Sequence, residues 1–403
     1  MRVLETGNHF VALAVRSAGV EVVPAYPITP QTQVIEKIAD LIAEGEMEAE
    51  YIPVESEHSA CAALISASLT GVRAFSATAS HGLVYMHEML HYAAGIRVPV
   101  VMANINRALG PGWNIWCDHQ DAISQRDTGW LQVFVSSHQE IVDTVIQAFL
   151  VTENRDVLLP MMVNLDAFVL SHTYMDAEVP SPEEVKRYLP PYRPRWRLDT
   201  RLPVTHGSVV YPVDFSETRE SMKEGQENAR EIIREAAKGY EEMFGRWHGD
   251  LVEEYRVEDA RHLILAMGSA AAECRVAVDS LREEGHSVGL LRVRFFRPFP
   301  VEEIRRLCQD RDDLLVMDRN YSYGLSGALY SEVKGVLYGR TNIPVRNLIM
   351  GLGGRDVTHQ LIERMAVKAW KGELDDITWA DSHSTKSHEI TKEMLGRFEE
   401  MLD

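Results

Sequence analysis

The stretch 51–82, YIPVESEHSACAALISASLTGVRAFSATASHG, constrains the fold more than any other. A short apolar strand over 51–54 runs into Glu55-Ser56-Glu57. A helix of small residues follows over 58–69, Gly71 ends it, and a second apolar strand covers 72–77. A strand, a helix and a strand in that order form the crossover that builds a parallel sheet. Glu57 then lies at the carboxyl end of a strand, where open α/β sheets bind ligands. A carboxylate walled by Ala60, Cys61, Ala62 and Ala63 is poorly solvated. Burial favours the neutral form of such a group, which can hold or pass a proton near neutral pH. The other reading of Glu57 is a helix-end carboxylate meeting the helix dipole.

The same alternation extends in both directions. A helix over 8–18 precedes a strand over 20–25, which ends in Tyr26-Pro27-Ile28-Thr29-Pro30. Two prolines around Thr29 predict a rigid turn, with Thr29 as N-cap of a helix running to 43. The Thr29 hydroxyl also stands at a strand's carboxyl end, facing any ligand there. Small residues at 78–82, Ser80 among them, let a flat ligand approach closely, and a helix over 83–94 follows. His87, Glu88 and His91 do not have the spacing of a zinc helix and read as polar helix positions. The apolar strand over 98–105 ends in Asn106-Arg107. The loop beyond it combines Gly, Pro and Trp with Asp, His, Gln and Arg, a mixture typical of sites. Arg107 either clamps a carboxylate through paired hydrogen bonds or pairs with Asp118 or Asp121. Trp113 and Trp116 either wall a pocket or cover the sheet.

Segments at 133–134, 143–151 and 157–164 continue the pattern. Residues 172–205 read as a proline-rich extended arm, 217–244 as a long charged helix, and 247–259 as a linker. A small doubly wound unit then begins near 260, with strands at 288–296 and 314–318, helices at 270–284, 301–308 and 326–338, and a glycine turn at 351–354. The single glycine at 268 is not a dinucleotide fingerprint. The predicted architecture is thus α/β in two domains, 1–250 and 255–403, the second carrying a C-terminal tail.

Acidic residues outnumber basic ones by 60 to 41, a net charge of -19. This argues against nucleic acid or an anionic membrane as partner. No apolar run has the length of a membrane span and the N-terminus lacks a signal-peptide pattern, so the expected location is cytoplasmic. Cys61, Cys117, Cys274 and Cys308 are far apart in sequence and form neither a disulfide framework nor an iron–sulfur or zinc signature. They read as small reduced core residues, and no metal site is predicted on this chain.

Several motifs together resemble one family: YPITPQT (26–32), VESEHSA (54–60), TASHGLVYMHEML (78–90), NRALGPGWNIWCDHQD (106–121) and QRDTGW (125–130), with RFFRPFP, MDRNYSYG and GLGGRDVTH later. The chain resembles the alpha subunit of the multi-subunit 2-oxoacid:ferredoxin oxidoreductases, which act on pyruvate or 2-oxoisovalerate. The resemblance covers nearly the whole chain. It implies a thiamine-diphosphate-binding domain of the pyrimidine type followed by a transketolase C-terminal-like domain. It assigns Glu57 to ring nitrogen N1′ of the aminopyrimidine, Thr29 to the substrate near its reacting carbon, and Arg107 to the substrate carboxylate. Tyr26, Pro27 and Ser80 fall at the cofactor, and Asn106 and Trp113 at the substrate pocket. The segment Asp118-His119-Gln120-Asp121 matches without an assignable role. No Gly-Asp-Gly with a downstream Asn is present to hold a diphosphate through a divalent metal. The resemblance therefore implies that a beta subunit supplies the magnesium and diphosphate site, with gamma and ferredoxin-like delta subunits, ferredoxin and coenzyme A completing the reaction. Iron–sulfur clusters are expected on other chains.

The implied reaction is the reversible oxidative decarboxylation of pyruvate or a related 2-oxoacid to acyl-CoA and CO2. Gly112-Trp113 and YPITPQT lean toward 2-oxoisovalerate, DHQD and NIW toward pyruvate. A thiamine enzyme component that needs no ferredoxin and a non-catalytic scaffold are the competing readings.

Overall fold

Two mainly parallel sheets with helices on both faces form the body of the chain, whose computed structural model describes residues 1–194, 196–201, 203–382, 392–397 and 401. The N-terminal sheet runs in the order Phe295–Arg297, Leu131–Phe134, Met161–Asp166, Val101–Asn106, Phe75–Thr78. Its central strands, Val101–Asn106 and Met161–Asp166, are buried along their whole length, as strands covered on both faces must be. Beyond Phe75–Thr78 the parallel pair Val22–Ala25 and Glu50–Pro53 extends the same surface. A single bridge from Val22 to Ala74 joins it, together with a 2.8 Å bond from Ser76 Oγ to the Pro24 carbonyl. The crossover predicted over 51–77 is therefore present, and its helix Glu57–Leu69 carries the chain past Val22–Ala25.

Helices Gly7–Ser17 and His138–Thr152 pack on one face of this sheet, with Phe215–Phe244 outside them. Glu57–Leu69 and His87–Gly95 cover the other. The core on that second face continues without a break into the C-terminal unit, through Leu263, Leu291, Val316 and Phe296. There the strand order is Ile377–Trp379, Val345–Ile349, Asp313–Asp318, His262–Ala266, Val288–Val293, Val252–Tyr255, all parallel except the last.

Four expectations change. The helix predicted over 83–94 is two helices, Ser80–Tyr85 and His87–Gly95, meeting at Met86. The arm contains an antiparallel strand, Tyr174–Glu178, paired with Arg2–Thr6, and the helix Pro182–Tyr188 with a complete Ser181–Glu184 capping box. The linker holds the edge strand Val252–Tyr255. The run 288–296 divides: Val288–Val293 stays in the C-terminal sheet, while Phe295–Arg297 crosses to pair antiparallel with Leu131–Phe134. Arg294 lies at the division, buried against the Glu140 carboxylate with Arg292 beside it. The two units thus share a strand and a buried charge cluster. The predicted tail lies largely outside the described residues. Among the described residues no helix is long and apolar enough to cross a membrane.

Candidate active site

Ser56 caps the helix Glu57–Leu69, its hydroxyl accepting the Ser59 amide at 3.1 Å. Glu57 therefore opens the first turn, just past the strand Glu50–Pro53, and is only 8% exposed. Gly82 faces it from the helix Ser80–Tyr85. A Cβ there would lie 2.6 Å from Glu57 Oε1, 2.8 Å from Glu57 Cγ and 2.7 Å from Thr78 Oγ1. Glycine is thus what admits both side chains. The Thr78 hydroxyl is buried and unpartnered among the described residues.

Thr29 does not cap a helix. The helix is Thr32–Ala43, and Gln31 precedes it. The Gln31 side chain is drawn instead into the sheet, donating to the Ala77 carbonyl at 3.0 Å and accepting the Ile28 amide at 3.3 Å. Asn8 holds the Pro30 carbonyl at 2.8 Å. So pinned, the turn leaves Thr29 and Pro27 exposed and Tyr26 half-buried. The Thr29 carbonyl accepts from Arg107 Nη1 at 2.7 Å, which brings these two predicted residues together. Arg107 is buried, and burial lowers its pKa from the ordinary arginine value. Its Nε reaches the Asn114 carbonyl at 3.4 Å, and its guanidinium lies 5.7 Å from the Trp113 ring centroid. Among the described residues no carboxylate pairs with it, so the Arg–Asp alternative does not hold for the guanidinium.

Asp121 binds backbone instead. Oδ2 accepts the amides of Ser80 at 3.0 Å and Arg107 at 3.1 Å; Oδ1 accepts Asn106 Nδ2 at 2.9 Å and the Ala122 amide at 2.7 Å. Burial raises its pKa against the pull of these bonds. One carboxylate thereby ties the ends of Phe75–Thr78 and Val101–Asn106 together. Ser80 adopts a positive φ of 50°, and its hydroxyl donates to the Ala108 carbonyl at 2.6 Å. Ser80 and Asn106, expected at cofactor and substrate, are both fully buried; Ser80 Oγ and Asn106 Nδ2 are bonded within the chain, while Asn106 Oδ1 has no partner among the described residues. Trp113, by contrast, is 80% exposed at the mouth. His81 accepts the Gly110 amide through Nε2 at 3.1 Å and lies 5.5 Å from the Trp113 ring.

A second cluster lies deeper. His119 Nε2 meets Asp166 Oδ1 at 2.6 Å; Asp166 Oδ2 accepts Arg319 Nη1 and the Ser269 amide, both at 3.0 Å, and the Ser269 hydroxyl. Burial would raise the Asp166 pKa, but His119 and Arg319 outweigh it and hold it well below the usual carboxylate range. Cys117, His119 and Asp166 offer atoms within 4.8 Å of one another. The Asp166 oxygens are already engaged, a guanidinium adjoins them, and burial pushes the Cys117 thiol far up. That environment disfavours a cation.

These side chains all stand at strand carboxyl ends. A separate cleft of about 1110 Å³, lined by Gly71, Arg97, Tyr192, Arg197 and His206 among others, opens at the opposite ends, under the arm. The sequence marked Glu57, Thr29 and Arg107. It gave no sign of Asp121 as the tie, Gly82 as the cradle, or Asn114 as a bridge; the one available signal was their presence in loops crowded with Gly and polar residues.

Residues 13–238 match the family described as pyruvate flavodoxin/ferredoxin oxidoreductase, thiamine diphosphate-binding, and residues 260–362 match pyruvate:ferredoxin oxidoreductase core domain II. Pyruvate synthase subunit PorA of Methanothermobacter thermautotrophicus is 46% identical over 374 residues, covering 93% of this chain and 96% of the relative. Ketoisovalerate oxidoreductase subunit VorA of Pyrococcus abyssi is 44% identical over 381 residues, with the same coverage of each. Among solved structures, a 2-oxoglutarate:ferredoxin oxidoreductase from Magnetococcus marinus superposes with a TM-score of 0.69 at 17% identity. That match covers 93% of this chain and spans 65% of the other, and it supports the fold alone.

Proposed function

The chain belongs to the pyruvate flavodoxin/ferredoxin oxidoreductase family, and on that premise we propose that it is the subunit presenting the acid–base carboxyl and the carboxylate-reading arginine of a 2-oxoacid:ferredoxin oxidoreductase. Pyruvate is the proposed substrate, oxidised with loss of CO2 to acyl-CoA while its electrons pass to ferredoxin.

The observation that carries this reading is the state of Arg107. It is a buried guanidinium held by the neutral carbonyls of Thr29 and Asn114, with no carboxylate partner among the described residues. Neutral acceptors fix its direction and leave its charge to be met by an incoming anion. A planar carboxylate suits it through two parallel bonds. Glu57 stands at a neighbouring strand end with a side-chain-free wall at Gly82 and the unpartnered Thr78 hydroxyl beside it. The polar atoms of Glu57 and Thr78 are the ones proposed to meet the polar ring atoms of a flat heterocycle. When bound, thiamine diphosphate supplies the electron sink that decarboxylation requires. The role proposed for Glu57 is to hold or move a proton at ring nitrogen N1′. Thr29, exposed beyond the strand end, is proposed to meet the reacting carbon, and the exposed Trp113 to wall the substrate's side chain.

The diphosphate and its magnesium are proposed to lie on a beta subunit, the clusters on beta and delta chains, and a gamma subunit completes the assembly. Steady-state kinetics of that assembly with pyruvate, 2-oxoisovalerate and other oxoacids, with coenzyme A and ferredoxin or methyl viologen, test the reading. Expected are oxoacid-dependent reduction and, for Arg107→Ala, a kcat/KM loss corresponding to about 1.5–3 kcal/mol, the worth of a charged hydrogen bond. An Arg107→Ala enzyme with unaltered kcat/KM for every oxoacid would remove this residue from the site. The relatives carry pyruvate and ketoisovalerate names at nearly equal identity; preference for the branched acid in the panel would move the assignment to that substrate.

A further inference from the structure

The loop that follows Arg107 runs irregularly to the short helix Gln120–Ile123. A loop of that length holds one shape only if something outside it does the holding. Within the loop, the Ala108 amide bonds the Trp116 carbonyl at 3.0 Å and the Trp116 amide bonds Asn114 Oδ1 at 2.8 Å. From the N-terminal unit, Ser80 Oγ holds the Ala108 carbonyl at 2.6 Å and His81 Nε2 accepts the Gly110 amide at 3.1 Å. Further along, the anchors come from the other sheet. Asn114 Nδ2 donates to the Gly353 carbonyl at 2.9 Å, and the Gly354 amide donates to the Cys117 carbonyl at 2.8 Å. The His119 amide donates to the Arg319 carbonyl at 2.9 Å, and the Tyr321 amide to Gln120 Oε1 at 3.1 Å. Each of these partners follows a strand of the C-terminal sheet at its carboxyl end.

The glycine turn after Val345–Ile349 is shaped for this contact. Gly353 and Gly354 have φ of 61° and 81°, values that favour glycine. Space demands glycine there as well. A Cβ at Gly353 would lie 2.6 Å from Asn114 Nδ2, and one at Gly354 would lie 2.3 Å from Trp116 Cβ. Asn114 spends both side-chain atoms on the brace, one on each side, and its backbone carbonyl is the acceptor facing Arg107 Nε.

We propose that Asn114 is a positioning residue through which the Gly353-Gly354 turn of the C-terminal sheet aims the Arg107 guanidinium at the substrate carboxylate. Among the described residues the Arg107 guanidinium makes two hydrogen bonds, to the carbonyls of Thr29 and Asn114, and the second acceptor is fixed by a sheet more than 200 residues away in sequence. A shift of the C-terminal unit moves that carbonyl and turns the fork. The C-terminal unit is in this way part of substrate recognition while contributing no group that touches substrate.

This inference rests on the proposed role of Arg107, so the test is a double-mutant cycle on the assembled enzyme with its partner subunits. Wild type, Asn114→Ala, Arg107→Ala and the double variant are compared for KM and kcat with pyruvate and 2-oxoisovalerate, for affinity toward thiamine diphosphate, and for Tm. Asn114→Ala is expected to raise the oxoacid KM about threefold to tenfold, the scale of one lost neutral hydrogen bond. Thiamine affinity and Tm should stay near wild type. In the Arg107→Ala background the same substitution should add less than about twofold, because the group it aims is gone. Gly353→Ala should reproduce the KM rise from the other side of the contact. Should Asn114→Ala fail to assemble, Asn114→Ser serves: its hydroxyl can still accept the Trp116 amide, is too short to reach Gly353, and brings no charge beside Arg107. A wild-type KM in the Asn114 variants beside a raised KM in Arg107→Ala would overturn the positioning role alone, as would full additivity in the cycle. An unchanged KM in Arg107→Ala would overturn both that role and the carboxylate reading beneath it.

Discussion

Gly82 tests the proposed proton-handling role of Glu57 without altering the carboxyl itself. Gly82→Ala adds one methyl carbon 2.6 Å from Glu57 Oε1 and 2.7 Å from Thr78 Oγ1, where ordinary contact is well over 3 Å. Gly82 lies in the helix Ser80–Tyr85 and has no positive φ. The backbone therefore accepts alanine and gains helix propensity of up to about 1 kcal/mol. Against this stands overpacking of about 1–3 kcal/mol. The two nearly offset, and the net change in stability should stay below about 2 kcal/mol. The group that must yield is the Glu57 side chain, the flexible member of the contact. A displacement near 1 Å at a reacting group costs about a hundredfold in rate. Gly82→Ala should therefore lower oxoacid-dependent viologen reduction by about that factor while the melting temperature hardly moves. In a Glu57→Asp background, where the shorter side chain has withdrawn, adding Gly82→Ala should cost little more. Near wild-type turnover in the single variant, or a loss fully additive to that of Glu57→Asp, would refute the reasoning.

Glu140→Gln should destabilise the fold by about 3–5 kcal/mol, because it leaves the buried Arg292 and Arg294 facing an uncharged amide; denaturant unfolding showing less than about 1 kcal/mol would count against the cluster. Burial pushes Asp118 up to about 6 from 3.8, so the folded state binds this proton more tightly than the unfolded chain. The resulting stability is full below about pH 4 and is lost as the pH rises through about 6, amounting to roughly 3 kcal/mol by linkage. Asp118→Asn should accordingly match wild type in Tm near pH 4 and exceed it near pH 7, and parallel curves across that range would exclude the effect.

The crossover from Glu50–Pro53 to Phe75–Thr78 was legible because its signals are local: an apolar run, a helix of small residues, a glycine stop and a second apolar run. The missed strands lack such signals. Val252–Tyr255 reads VEEY, and its glutamates pair with Arg292, Arg275 and Arg306, side chains that only the fold brings near. Phe295–Arg297 is invisible within an apolar run, because what divides the run is the burial of Arg294 against Glu140, 154 residues away in sequence. The site behaves alike. Glu57 and Arg107 announce themselves as charged residues at predicted strand ends. Whether Arg107 pairs with Asp121 through its side chain or its backbone depends on the course of the loop, and the structure gives the bond to the amide. The capping role expected of Thr29 failed because the competing Gln31 found a buried carbonyl at Ala77, a tertiary contact that no window of sequence contains.

The two buried charge clusters bear on why the units are joined as they are. Glu140 with Arg292 and Arg294, and Asp166 with His119 and Arg319, both span the junction between the sheets. Burying such ions is expensive, and their mutual attraction recovers the desolvation only when the geometry is good. An apolar contact of equal area would hold the units together at least as firmly. It would also tolerate sliding, because apolar contacts are non-directional. Directional bonds at both ends of the junction permit one relative placement. That placement is what the loop between Arg107 and Asp121 depends on, since its later part is anchored on the C-terminal sheet at Asn114, Cys117, His119 and Gln120. The clusters therefore contribute position more than stability. A Glu140 substitution that leaves the protein folded should disturb oxoacid capture before it disturbs anything at Glu57, whose own supports, Ser56, Thr78 and Gly82, all lie in the N-terminal unit.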